Sequence, residues 1–149
     1  MELPYGVTHA EYKVTSTGEI YLIEVAARGG GGSISSKIIP YLTGFEPNRA
    51  LVNFLMSTGA PIPHIGRYQD RFAILRFFEF DQGPVTRMFV NQSALSKALE
   101  VQINVAVGDE IRAVRDSRDR AGYFVVAGET REQVLAMEEE LLSSVQIEH

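Results

Sequence analysis

Apolar and polar positions alternate through residues 8–15 and again through residues 20–26. Tyr12 and Val14 lie in the first run. Ile20, Tyr21, Ile23 and Val25 make the second rich in residues that favour strands. Ser16, Thr17, Gly18 and Glu19 separate the runs and read as a tight turn, so the pattern predicts a β-hairpin. Gly29, Gly30, Gly31 and Gly32 follow, a run that neither strand nor helix interior accommodates cheaply. A helix is expected from about Ser35 or Ser36 as N-cap, with Pro40 in its first turn and Gly44 at its end. A second helix is expected from Pro47, with Ala50, Leu51, Phe54 and Leu55 as its apolar stripe and Gly59 closing it.

Residues 60–64, Ala-Pro-Ile-Pro-His, are dense in helix and strand breakers and divide the chain into an expected 1–59 and 60–149. Beyond them the pattern predicts strands over 71–80, 101–107 and 123–127, and a short helix over 93–99. Thr130 and Gln133 form a capping box for a helix carrying Val134, Leu135, Met137, Leu141, Leu142 and Val145. Gln146 to Glu148 is read as a closing edge strand. Strands mixed with helices in this order predict an α+β fold, an antiparallel sheet with flanking helices.

Composition narrows the chemistry. The chain has no cysteine, which excludes disulfides, zinc–thiolate sites and thiol nucleophiles. The net charge of -5 argues against a nucleic-acid surface. The mixed-charge stretch from Arg112 to Arg120 reads as a solvated loop or strand end. No run approaches the ~20 apolar residues of a membrane helix, and no secretion signal is visible, so a cytoplasmic protein is expected. His9, His64 and His149 are too dispersed in sequence to mark a zinc set.

The hairpin carries the one chemical constellation. With the turn centred between Thr17 and Gly18, Val14 faces Tyr21, Tyr12 faces Ile23 and Glu11 faces Glu24. A three-residue loop would shift this register by one and flip faces. Carboxylates directly opposed on a sheet repel. They must share a proton, sit in water or share a cation. With oxygen donors only, that cation would be Mg²⁺ or Mn²⁺, and Mg²⁺ favours a pair of carboxylates completed by substrate phosphates. Arg28, beside the glycine run, suits a phosphate or carboxylate. A surface hairpin with scattered glutamates and a flexible glycine linker explains the same residues and stays open at this point.

Two segments carry a resemblance. Gly6-Val7-Thr8-His9-Ala10-Glu11 and Gly18 through Gly30 resemble the C-terminal catalytic segment of ATP-grasp enzymes, nearest to the carbamoyl-phosphate-synthase-like and L-amino-acid-ligase-like branch. The family pattern is a glutamate on one strand and Glu-x-Asn-x-Arg on the next. Gly122 through Glu132 is similar to the closing strand and helix of that branch. The resemblance implies Glu11 and Glu24 as metal ligands. It implies Arg28 as the catalytic contact to phosphate or to the substrate carboxylate, with Gly29 and Gly30 beside it in the cofactor site. His9, Gly31 and Ser33 fall on the substrate side. Ala26 stands where the family has asparagine, which leaves a second ion to water and Glu24.

The implied reaction is phosphorylation of a carboxylate by ATP, then attack of an amine or thiol on the acyl phosphate. The implied cofactors are ATP with Mg²⁺ or Mn²⁺. The lid lysines of the family have no counterpart here, since Lys13, Lys37 and Lys97 are the only lysines. Only ten residues precede Glu11. The chain therefore reads as a ligase fragment, inactive alone, whose partners are ATP, a carboxylate substrate and the missing N-terminal half, with a homodimer as a further arrangement. The alternative is a non-catalytic dimerisation or regulatory module that kept the scaffold.

Overall fold

A computed structural model describes residues 6–56 and 68–149. The chain divides into two compact units, Met1–Tyr68 and Gln69–His149. The expected boundary stretch at residues 60–64, His64 and the helix stop at Gly59 lie outside the described residues.

The first unit opens with strands β1 (His9–Val14) and β2 (Ile20–Ala26), paired antiparallel. Glu11 is opposite Glu24, as expected, but the rest of the predicted register is not observed. Tyr12 faces Leu22 and Val14 faces Ile20, where Ile23 and Tyr21 were expected. The turn explains the difference. The amide of Thr15 donates to the Glu19 carbonyl at 3.0 Å, and the Gly18 amide donates to the Thr15 carbonyl at 3.0 Å. Thr15 and Glu19 thus close a loop of Ser16, Thr17 and Gly18, which shifts the pairing by one. A β-bulge then inserts Ile23 between the Leu22 and Glu24 pairings and shifts it back.

After the glycine run, Ile34–Ile38 forms a wide π turn that continues into α1 (Ile39–Thr43). The wide turn is closed by the Ile39 amide on the Ile34 carbonyl. The expected N-cap at Ser35 or Ser36 is replaced by Ser33, which sits left-handed at φ 61° without a side-chain cap bond. Gly44 ends α1 as anticipated. Helix α2 (Pro47–Met56) starts at its proline, burying Pro47 and Ala50.

The second unit is built on β3 (Phe72–Phe77), β6 (Glu100–Ile103) and β8 (Gly122–Gly128), in the order β3-β8-β6 with both pairings antiparallel. The first two strands are shorter than the apolar runs that predicted them. Three further strands were not anticipated: β4 (Gly83–Pro84), β5 (Arg87–Val90) and β7 (Glu110–Ile111). β4 pairs β7, and β5 pairs β9 (Val145–Glu148), the expected closing strand. Helix α3 (Gln92–Leu95) is capped by Asn91, whose side chain accepts from the Ala94 amide at 3.2 Å. Helix α4 (Arg131–Ser143) begins with the predicted capping box of Thr130 and Gln133. Its buried residues are Val134 and Leu141, while Leu135 and Leu142 remain exposed and Val145 belongs to β9. Phe78, Leu95, Phe124, Val126, Val134, Leu141 and Val145 form the core of this unit. Central β8 buries Phe124, Val125 and Val126 completely.

Gly122 starts β8 at φ +151°, and a Cβ there would run into the carbonyl of Gln102 on β6. Gly122→Ala is expected to destabilise the second unit by at least about 2 kcal/mol, because both strain and overpacking oppose it. Thermal unfolding checks this; an unchanged midpoint would contradict the packing described.

The stretch from Arg112 to Asp119 is exposed loop apart from a 3₁₀ turn, Ser117–Asp119, capped by Asp116, and Arg120 is half-buried over the Phe77 ring. The Arg118 guanidinium donates to Asp116 at 3.1 and 2.8 Å and holds that carboxyl below the ordinary carboxylate range. A lowered folded value means the contribution of this turn is present above the unfolded carboxylate value and lost as pH falls through the folded one. Asp116 should therefore titrate below 3.8 by NMR, and Arg118→Ala should move it up.

Candidate functional site

The hairpin ladder determines what the acidic pair can do. Residues directly opposite in an antiparallel ribbon share a face. Glu11 and Glu24 are such a pair, and His9 with its partner Ala26 lies two positions along the same face. Both glutamates are exposed. The Nε2 of His9 is 3.3 Å from Oε1 of Glu11, and the imidazole is largely covered, with 20% of the side chain exposed against 52% for Glu11. Among the described residues no group of three or more His, Cys, Asp and Glu converges as a metal set. Two carboxylates are a partial site, which fits a hard cation that completes its shell with water and phosphate oxygens.

Arg28 lies two residues past β2. Its guanidinium donates to the carbonyl of Gly29 at 3.0 Å and forms no ion pair with either glutamate among the described residues. The positive charge is thus exposed and unneutralised at the end of the hairpin.

The glycines have a structural role that the sequence did not reveal. A Cβ on Gly29 would lie 2.9 Å from the Oγ of Ser35, and one on Gly30 would lie 3.0 Å from Nδ1 of His9 and 3.0 Å from Cβ of Ile34. These two positions are glycine because the chain packs against itself there. Gly31 is different, with open space where a Cβ would project. Ser35, read as an N-cap, is instead buried and accepts a hydrogen bond from the Gly30 amide at 3.0 Å. It anchors the turn that carries Gly30 against His9. Its signal in the sequence was a serine five residues after a glycine, too common to single out. Ser33 occupies the left-handed region at the entry to the π turn.

Residues 76–149 match the family described as L-amino acid ligase C-terminal domain 2. No curated protein matches the chain. Solved structures give the fold of the whole. L-amino acid ligase from Bacillus licheniformis superposes with a TM-score of 0.78 at 20% identity, over 97% of this chain and 36% of that one. Phosphoribosylglycinamide synthetase from Anaerococcus prevotii gives 0.70 at 14% identity, over 95% and 36%. The biotin carboxylase domain of the Hydrogenobacter thermophilus 2-oxoglutarate carboxylase, a dimer in complex with MgADP, ADP and bicarbonate, gives 0.63 at 15%, over 97% and 32%. The fold thus matches the C-terminal ATP-grasp portions of these ligases. The chain spans about a third of the length of these ATP-grasp structures. Among the described residues, no helix is long and apolar enough to cross a membrane.

Opposed like charges make one consequence measurable without any ligand. Glu24→Gln should raise the stability of the metal-free chain by roughly 0.2–1 kcal/mol at low ionic strength. The gain should shrink as salt is added. Paired thermal melts at low and high salt check both.

Proposed function

We propose that this chain is the C-terminal portion of an ATP-dependent ligase that joins a carboxylate to an amine or thiol, with Glu11 and Glu24 as the carboxylate ligands of Mg²⁺ or Mn²⁺. The observation that carries this reading is the direct pairing of Glu11 with Glu24 on one face of the hairpin. A bound divalent ion would screen the charge of ATP phosphates. The protein residues do the rest by position. The two glutamates hold negative charge where a cation can offset it. Arg28, with no carboxylate neighbour among the described residues, is placed for a phosphate or an acyl-phosphate oxygen. Gly29 and Gly30 set the path of the backbone beside it. His9, Gly31 and Ser33 belong to the substrate side, where Gly31 leaves room. Ala26 contributes no oxygen, so a second ion would depend on Glu24 and water.

A further observation supports a fragment. The hairpin exposes large apolar side chains on both faces: Tyr12, Val14, Ile20, Tyr21, Leu22, Ile23 and Val25 are each 53–67% exposed. A surface of that kind marks an interface. The occupant that fits is the N-terminal half of the same enzyme, which the ligase neighbours carry in the other two-thirds of their length. The dimer named for the biotin carboxylase neighbour makes a homodimer a further arrangement for the assembled ligase. A cytoplasmic setting follows from ATP as substrate.

The test is Mn²⁺ binding to the chain, followed by electron paramagnetic resonance. One saturable site is expected, weakened at least tenfold by Glu11→Gln and by Glu24→Gln, with no steady ATP hydrolysis. Mn²⁺ binding indifferent to both substitutions would leave a scaffold module as the better reading. ATP turnover at enzyme-like rates by the chain alone would overturn the fragment.

A further inference from the structure

His9 has a place in the hairpin that the proposed metal site does not yet use. It faces Ala26 across the ribbon, and the alanine methyl leaves space on that face. The imidazole is held on two sides. On one, Nδ1 abuts the Gly30 backbone so closely that a Cβ at that glycine would be only 3.0 Å away. Gly30 is in turn fixed by its amide bond to the buried Ser35 hydroxyl at 3.0 Å. On the other side, Nε2 reaches Oε1 of Glu11 at 3.3 Å. An ionised carboxylate only accepts hydrogen bonds, so this contact makes Nε2 the donor.

We infer that His9 is a positioning residue: wedged against Gly30, it donates from Nε2 to one oxygen of Glu11 and so turns the other oxygen toward the shared divalent ion. The inference rests on the reading of Glu11 and Glu24 as metal ligands. An exposed glutamate otherwise samples several rotamers, and a bond to a fixed donor removes that freedom before the ion arrives. Groups that hydrogen-bond to metal ligands commonly change metal affinity by 10–100-fold when removed. The alignment Ser35, Gly30, His9, Glu11 makes the π turn part of the site without a ligand atom of its own.

The experiment is a Mn²⁺ titration of the chain by electron paramagnetic resonance, comparing the unsubstituted protein with His9→Leu, His9→Gln, Gly30→Ala and Glu11→Gln. Far-UV circular dichroism and a thermal melt accompany each variant. His9→Leu, which fills the space without a donor, should weaken Mn²⁺ binding about tenfold. His9→Gln, which returns an N–H at similar reach, should recover most of it. Gly30→Ala, which pushes on the ring from behind while leaving His9 and Glu11 intact, should also weaken binding, and much less so in a His9→Leu background. Equal loss in His9→Leu and His9→Gln would show that only packing matters and would overturn the inference. Normal affinity in both His9→Leu and Gly30→Ala, with binding lost in Glu11→Gln, would overturn it while leaving the metal site standing. Normal affinity in Glu11→Gln would remove the site itself, and the inference with it. Should His9→Leu fail to fold, Gly30→Ala decides: undiminished affinity in that variant would overturn the inference.

Discussion

An antiparallel ladder gives its side chains no choice of neighbour. Once Glu11 and Glu24 pair, their carboxylates share a face at the separation that the backbone bonds impose. Water around these exposed groups softens the repulsion, so the ribbon tolerates the pair, but nothing in the ribbon rewards it. A divalent cation changes the sign of the interaction. The ladder then becomes a way of holding two oxygen donors ready, at the expense of a small repulsion in the empty state. A turn and a bulge in the hairpin each displace the register, and only together do they leave the glutamates opposed.

The glycine run shows how structural and ligand-directed demands divide a simple motif. Four glycines in a row read as a flexible linker or as a backbone that lets a ligand approach. Gly29 and Gly30 are instead required by their own chain, because Ser35, Ile34 and His9 occupy the space a side chain would need. Gly31 faces open space. A run packed against Ser35, Ile34 and His9 at one end and open at Gly31 differs from a linker, which packs against nothing. The left-handed Ser33 adds to this difference, because a non-glycine residue persists there only when its surroundings over-determine it.

The sequence made the hairpin, the acidic pair and the α4 capping box legible, and each has a local cause. Period-two alternation and a polar turn identify strands. Thr130 and Gln133 at the right spacing satisfy the first amides of a helix whatever lies around it. The opposed glutamates were reached through a register that fails elsewhere: Tyr12 and Val14 have other partners, and Ile23 is extra. The expectation survived because a three-residue loop and a bulge cancel, and bulges leave no signature in a pattern of apolar residues. The short strands β4, β5 and β7 were illegible for a related reason. Two to four residues contain no measurable period, and such strands exist only because partners distant in sequence complete them. The π turn was hidden because Pro40 fits the first turn of α1, and an ordinary helix start explains the same residues.

Exposure along the hairpin sets the terms on which this site works. A two-stranded ribbon is marginal by itself in water, and this one presents Tyr12, Leu22, Ile23 and Val25 to solvent at more than half of their surface each. Polar residues would make such a ribbon more soluble and no less regular. Apolar side chains at these positions instead favour a covering surface over solvent. A cover over the ribbon would also exclude water from around Glu11 and Glu24, and a lower local dielectric would sharpen both the repulsion between them and their attraction for a cation. On the reading proposed above, ion affinity would then be tied to assembly through one physical cause.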